Sequence, residues 1–224
     1  MPPHSDTVGW FLRFKNLDRC AHLKAVVCLG FRFRDDTTET WTAFVNRVKA
    51  GDPQAVGAAE EALRRSCATL RYKLKDLLVV PIIGSAHATA AAAHTVTRLA
   101  TAVAQAKNWR LSTDLIAKDP HRSLHGLRSA DERDAEVDGK YRAVVFESLG
   151  LEDCRGVLLV DDLVTRGTTM NDAARAIREI NPEVSVFGMA LAKTEKLEYW
   201  REWRNECLTN DHLHPELVRL AGRR

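Results

Sequence analysis

A chain of 224 residues fits one good-sized domain and leaves little room for two. Hydrophobic residues at 45% and charged residues at 28% exclude a disordered chain, and a formal charge of +3 is too mild for a dedicated nucleic-acid binder. Cysteines at 20, 28, 67, 154 and 207, odd in number and without a CxxC pair, support neither a disulfide framework nor a zinc ribbon; reduced thiols in a cytoplasmic protein are the expectation. The opening MPPHSDTVGWFLRFK carries charges early and has no continuous apolar core, so it does not read as a secretory signal. The alanine-rich stretch from Ala86 to Trp109 is broken by His87, His94, Arg98, Gln105 and Lys107, so it does not read as a membrane span.

In chain order, Ala25 to Leu29 predicts a strand, and Phe31-Arg32-Phe33-Arg34 alternates with period 2. Asp36 followed by Glu39 predicts a capping box for a helix over 38–50, stopped by Gly51. A second helix is expected over 53–73, with Ala58, Ala62, Leu63 and Leu70 at helical spacing. Leu77-Leu78-Val79-Val80 is a short continuous apolar run, the pattern of a strand buried on both faces. An alanine-rich helix over 87–107 follows, then a charged stretch over 117–142 that predicts a long mobile loop or hairpin. Strands are expected at 144–146, 156–160 and 184–191, with a helix over 169–180 stopped by Asn181-Pro182. The tail reads as helical and aromatic, with Tyr199, Trp200 and Trp203, and a last helix after His214-Pro215. The expectation is a single α/β domain with a central, mainly parallel sheet flanked by helices. It has a helical amino-terminal region (1–76), a core (77–195) and a helical carboxy-terminal tail (196–224), forming one folding unit.

The informative segment runs from Val157 to Thr169: four apolar residues, then Asp161-Asp162, then Leu163-Val164-Thr165-Arg166-Gly167-Thr168-Thr169. Two carboxylates at the carboxyl end of a central strand stand where open α/β sheets bind ligands. Gly167 allows close approach of a ligand, backbone N–H groups of 166–169 can converge on an anion at a helix start, and Thr165, Thr168 and Thr169 add hydroxyls. One end of such a site suits hydroxyls or a cation and the other a phosphate. A sugar phosphate satisfies both.

This stretch resembles the phosphoribosyl-pyrophosphate (PRPP) motif of the type I phosphoribosyltransferases. The resemblance implies that Asp161 and Asp162 hold the ribose 2′- and 3′-hydroxyls and that Thr165, Arg166, Gly167, Thr168 and Thr169 cradle the 5′-phosphate. It further implies a pyrophosphate loop at Gly84, Ser85, Ala86 and His87, where a loop follows the 77–80 strand. Mg²⁺ would accompany PRPP, with the aspartates reaching it through water. His94, Leu99-Ala100, Leu127, Arg133, Val137, Gly139 and Tyr141 resemble segments of the ComF-type members, linked to competence proteins and related to amidophosphoribosyltransferases. The likeness spans roughly 77–193. The chain departs from that group in several places. The loop after the first core strand has His87 and no arginine, His94 and Glu136 stand where asparagines are usual, and zinc-binding cysteines are absent near the amino terminus. Arg122, Arg128 and Arg133 of the long loop could compensate at the pyrophosphate.

The implied activity is that of a pentosyltransferase: transfer of a 5-phosphoribosyl group from PRPP to a nitrogen nucleophile, with release of pyrophosphate. The acceptor is unspecified. Lys193 and Thr194, after the 184–191 strand, are hood candidates to meet it, and Trp200 or Trp203 could stack on a base. Two alternatives stand beside this reading. One is a PRPP- or nucleotide-sensing module, or effector in a DNA-uptake or defence system, that does little chemistry. The other is a single-stranded nucleic-acid protein using Trp10, Phe11, Phe14, Phe31 and Phe33 interleaved with Arg13, Lys15, Arg19, Lys24, Arg32 and Arg34. The expected partners are PRPP and its acceptor, a second copy of the chain in a homodimer, and no membrane.

Overall fold

The structure, a computed structural model, describes residues 6–15, 17, 20–70, 76–84, 87–119, 132, 135–136, 138–144, 154–196 and 210–222. Its strands are β1 (Asp6–Val8), β2 (Phe11–Phe14), β3 (Val26–Phe33), β4 (Leu77–Pro81), β5 (Arg110–Leu111), β6 (Ile116–Lys118), β7 (Tyr141–Ala143), β8 (Gly156–Val164) and β9 (Ser185–Glu195). Its helices are α1 (Thr40–Lys49), α2 (Pro53–Thr69), α3 (Thr95–Lys107), α4 (Thr168–Ile180) and α5 (Pro215–Ala221), with a short 3₁₀ turn at Asn210–His212.

The apolar runs that the sequence marks as buried strands lie side by side. β4 is buried at every position, and the first half of β8 likewise. Strands covered on both faces need helices on both sides, and a parallel arrangement provides them. The main sheet has the order β1-β2-β3-β9-β8-β4-β5. β3, β9, β8, β4 and β5 run parallel, while β1 and β2 add an antiparallel edge. The fold is therefore α/β, as expected. One core lies between the sheet and α1, α2, α3 and α5, around Trp41, Leu63, Leu99 and Leu217. The other lies between the sheet and α4 with the β6–β7 hairpin, around Ile83, Tyr141, Ala173 and Ile177.

Several boundaries move from the sequence expectation, each for a local reason. Glu39, not Asp36, caps α1: its carboxylate accepts from the Trp41 and Thr42 amides, while Asp36 accepts from Thr38 and Glu39. Gly51, at φ +77°, follows the end of α1, as expected of a left-handed glycine there. The alanine-rich helix starts at Thr95 instead of 87. Residues 87–94 turn and run beside β6, where the Ala88 carbonyl accepts from the Lys118 amide at 3.1 Å. Of the strand expected at 144–146, residues 145 and 146 lie outside the described residues; β7, at Tyr141–Ala143, ends just before it and pairs antiparallel with β6. β3 joins the two short amino-terminal strand signals into one. Tyr199, Trp200 and Trp203 lie outside the described residues.

The interleaved aromatics of the amino-terminal region do not face outward. Phe11, Phe14, Phe31 and Phe33 are fully buried, and Trp10 stacks on His214 with ring centroids 3.7 Å apart. A surface for stacking bases needs these rings exposed, so the single-strand reading loses its physical basis.

The three central strands share an irregularity. In β8, Val157 and Leu159 pack into the second core while Leu158 and Val160 pack into the first; beyond the aspartates the order inverts, with Leu163 against the first core and Val164 in the second. β9 shows the same change, because the neighbours Leu191 and Ala192 both enter the first core. In β3, Cys28 and then Phe31 and Phe33 belong to the second core, so the parity changes there too. The ladders run through the row Cys28, Ala190, Asp161 and continue at Gly30, Ala192, Leu163, passing over Leu29, Leu191 and Asp162.

Candidate functional site at the carboxyl edge of the sheet

The connections locate a crevice before any side chain is considered. From β4 the chain passes through α3, on the first core, outward to β5. From β8 it passes through α4, on the second core, to β9 in the opposite direction. The adjacent strands β4 and β8 thus feed loops that diverge, which opens a crevice at their carboxyl ends. Gly84 and His87 lie on one side of it, following Pro81, which pairs with Val160. Asp161, Asp162 and the turn at 165–167 lie on the other. β9 brings Lys193 alongside Val164, with Thr194 next. Parallel register therefore gathers the described candidates at one edge; Ser85, Ala86, Arg122, Arg128 and Arg133 are outside the described residues.

The acidic pair is electrostatically strained. The Asp162 amide, at the row that the ladders pass over, donates to Asp161 Oδ1 at 2.8 Å. Burial, reinforced by the neighbouring Asp162 carboxylate, raises the Asp161 carboxyl well above the ordinary carboxylate range. Asp162 is half-buried. Such a pair is improved by anything that donates hydroxyls or positive charge.

The turn after the strand is built for close approach. Gly167 holds φ +84°, and a Cβ there would lie 2.3 Å from Cys20 Sγ, so only glycine fits without displacement. α4 starts from this glycine with no side-chain cap, and a helix start is where backbone amides can meet an anion. Thr165 is exposed, and Arg166, Thr168 and Thr169 are half-buried. The amino-terminal segment braces the turn from behind: Cys20 Sγ lies 3.6 Å from the Arg166 carbonyl, and the His22 amide donates to Asn171 Oδ1 at 2.9 Å.

Across the crevice, the His87 amide donates to the Gly84 carbonyl, closing a short turn. The His87 ring lies against the His94 ring with centroids 4.1 Å apart, and His94 Nδ1 accepts from the Ala91 amide. On the β9 side, Lys193 is buried and ion-paired to Glu195. The pair neutralises the hood position that a bare lysine would otherwise charge.

Sequence reasoning missed Lys118, Asp172 and Arg175. Lys118 is 3% exposed, and its Nζ donates to the Ile83 carbonyl at 3.1 Å and lies 5.0 Å from the centre of the Tyr141 ring. Asp172, on α4, accepts from the Gly139 and Tyr141 amides and from Arg175 Nε. A faint signal for Lys118 existed: in Ile116-Ala117-Lys118 the lysine takes the parity of a buried isoleucine.

Among the described residues no group of three or more His, Cys, Asp or Glu could hold a metal ion. The acidic pair alone offers two hard oxygen donors on adjacent residues, which suits a cation completed by phosphate oxygens and water.

Comparison with known families agrees with the geometry. Residues 123–218 match the family model of the phosphoribosyl transferase domain. The matched stretch contains β7, β8, α4, β9 and the acidic pair with its turn, and the sheet around it is consistent with the type I phosphoribosyltransferase fold. No curated protein matches the chain. No helix among the described residues is long and apolar enough to cross a membrane.

Proposed function

We propose that this protein binds PRPP with Mg²⁺ and transfers its 5-phosphoribosyl group to a nitrogen nucleophile. The observation that carries the reading is the placement, at the β4–β8 crevice, of an ionically strained carboxylate pair directly before a glycine turn that opens an uncapped helix. The family match over the same stretch supports it.

In this reading, Asp161 and Asp162 accept the ribose hydroxyls, and the amides and hydroxyls of Thr165, Arg166, Gly167, Thr168 and Thr169 hold the 5′-phosphate. Fixing both ends of the sugar orients C1′ toward the 84–87 loop. The bond from C1′ to pyrophosphate breaks and a bond from C1′ to nitrogen forms; the acceptor's proton leaves to solvent. Positive charge develops on the ring as the leaving group departs, so carboxylate charge beneath the sugar, favoured once hydroxyl donors and Mg²⁺ are in place, would stabilise the transition state. Asp161 and Asp162 are the residues that would reach Mg²⁺, through its water shell. Bound there with the pyrophosphate, the ion would neutralise charge on the leaving group. Gly84, Ser85, Ala86 and His87, with His94 stacked on His87, would line the pyrophosphate side, and Lys193 and Thr194 would border the acceptor. Kinship with ComF-type members, a cytoplasmic location and a homodimer belong to the same reading.

The test is calorimetry with PRPP and Mg²⁺, together with pyrophosphate release across a panel of bases and amines. Wild type should bind, and the D161N/D162N double variant should lose binding by at least about a hundredfold, as removal of two charged hydrogen-bonding groups predicts. Unchanged binding in the double variant would defeat the assignment. One observation favours a second reading: among the described residues the 84–87 turn brings His87 as its only side chain capable of carrying positive charge. PRPP binding without pyrophosphate release for any acceptor would mark a sensing module.

A further inference from the structure

The turn from Gly84 to His87 is held from outside the main sheet. β4 pairs with β8 as far as Pro81, and the Ile82 amide adds a bond to the Val160 carbonyl at 2.8 Å. The Ile83 carbonyl turns instead to the β6–β7 hairpin, where it accepts from Lys118 Nζ at 3.1 Å and from the Tyr141 hydroxyl at 2.6 Å. The Lys118 amide donates to the Ala88 carbonyl at 3.1 Å. One residue of β6 therefore grips the chain on both sides of the turn. Tyr141 is anchored in its own right: its amide donates to Asp172 and its carbonyl accepts from Arg175, both on α4.

These bonds set the direction of the next amide. A trans peptide points its C=O and N–H opposite ways, and among the described residues no peptide is cis. With the Ile83 carbonyl drawn into the hairpin, the Gly84 N–H faces away from it. Gly84 is exposed, and its amide has no acceptor among the described residues. A Cβ at Gly84 would approach only the His87 ring, at 3.5 Å, so the space beside it is open. Two donors on one carbonyl also polarise the peptide and make its N–H a stronger donor. Stability alone does not account for the lysine. Lys118 is 3% exposed, and its ammonium directly meets one carbonyl and one ring face, poor compensation for lost hydration.

We infer that Lys118 and Tyr141 are positioning residues for the Gly84 amide: they turn it outward and strengthen it as a donor to a diphosphate oxygen. The identity of the ligand rests on the proposed function, in which this turn lines the pyrophosphate side. Neither side chain touches a reacting atom; both act through the Ile83–Gly84 peptide. The hairpin is thus a brace between α4, which opens from the Gly167 turn, and the turn across the crevice.

The test compares wild type with Y141F, K118M and the double variant at pH 7. In the ligand-free proteins, NMR follows the Ile83 carbonyl ¹³C and the Gly84 amide ¹⁵N. Both signals should move upfield in each single variant and furthest in the double, because fewer bonds polarise the peptide. Adding inorganic pyrophosphate with Mg²⁺ to wild type should move the Gly84 amide proton downfield. By calorimetry, pyrophosphate affinity should fall about fivefold in Y141F and about tenfold in K118M, while ribose 5-phosphate stays within about twofold of wild type. A merely structural lysine and tyrosine would instead weaken both ligands alike and lower the melting temperature. Unmoved signals in the variants, an unmoved Gly84 proton with pyrophosphate, or equal losses for the two ligands overturn the inference. Y141F removes one hydroxyl and keeps the ring, so it decides the matter if K118M does not fold. Should wild type bind neither ligand, the proposed function fails, while the ligand-free signals still decide whether the hairpin polarises this peptide.

Discussion

Two aspartates eleven positions apart in sequence live in opposite electrostatic worlds. Asp172, on the seam between α4 and the β6–β7 hairpin, is 4% exposed and receives the Gly139 and Tyr141 amides together with Arg175 Nε. Asp161, at the strand end, receives one amide, from a residue whose own carboxylate opposes it. The first is a finished joint: it fixes the hairpin to the helix, and Arg175 also donates to the Tyr141 carbonyl. The second is an unfinished one, and its deficiency is what a ligand would supply. A buried carboxylate with its donors in place holds a fold together; one facing a like charge is left short of donors.

The sharpest way to break this contrast is to remove each carboxylate in turn. D172A should lose about 3–5 kcal/mol, because Arg175 Nε and the Gly139 and Tyr141 amides lose their acceptor in a closed seam; urea unfolding monitored by circular dichroism would measure it. G167A comes next, at about 1–3 kcal/mol, since the left-handed backbone disfavours any side chain and the new methyl meets Cys20 Sγ. Combining it with C20A should recover part of that loss by removing the clash while leaving the backbone strain. D161N should act in the other direction, raising the melting temperature at pH 7 by about 2–4 °C as the half-buried like-charge contact disappears. The sign follows from the raised carboxyl: its contribution to stability is present below the unfolded-state value and lost as pH rises through the folded one. The gain of D161N over wild type should therefore vanish in acid, which differential scanning calorimetry at pH 3 and pH 7 would test. A drop in melting temperature for D161N would place both aspartates in the same structural class and remove the contrast.

The part of the site most legible in the sequence is the part that is contiguous. Residues 157–169 hold strand, acidic pair, turn and helix start in one run, so strand burial, glycine and helix entry could be read by neighbour rules. The same rules overextend the alanine-rich helix, which starts at Thr95. Alanine favours helix locally, but the path of 87–94 is fixed by β6, some thirty residues onward. The contacts from Lys118 to Ile83 and from Asp172 to Gly139 and Tyr141 likewise span more than thirty residues, and a periodicity window cannot see them. The expected sheet core emerged because four-residue apolar runs carry their own signal. The sequence pattern splits β3 into two signals because its inward face changes partway along.

That change of face has a consequence for anyone wishing to move this site. β3, β9 and β8 switch sides at one common level, so a single-residue insertion or deletion in β3 or β8 would bring its outer half out of step with β9, and one in β9 would bring it out of step with both. A graft of 157–169 alone into another scaffold would carry the acidic residues and the glycine but lose the geometry that aims them. The transplantable unit is a three-strand patch whose members must be cut at matching rows.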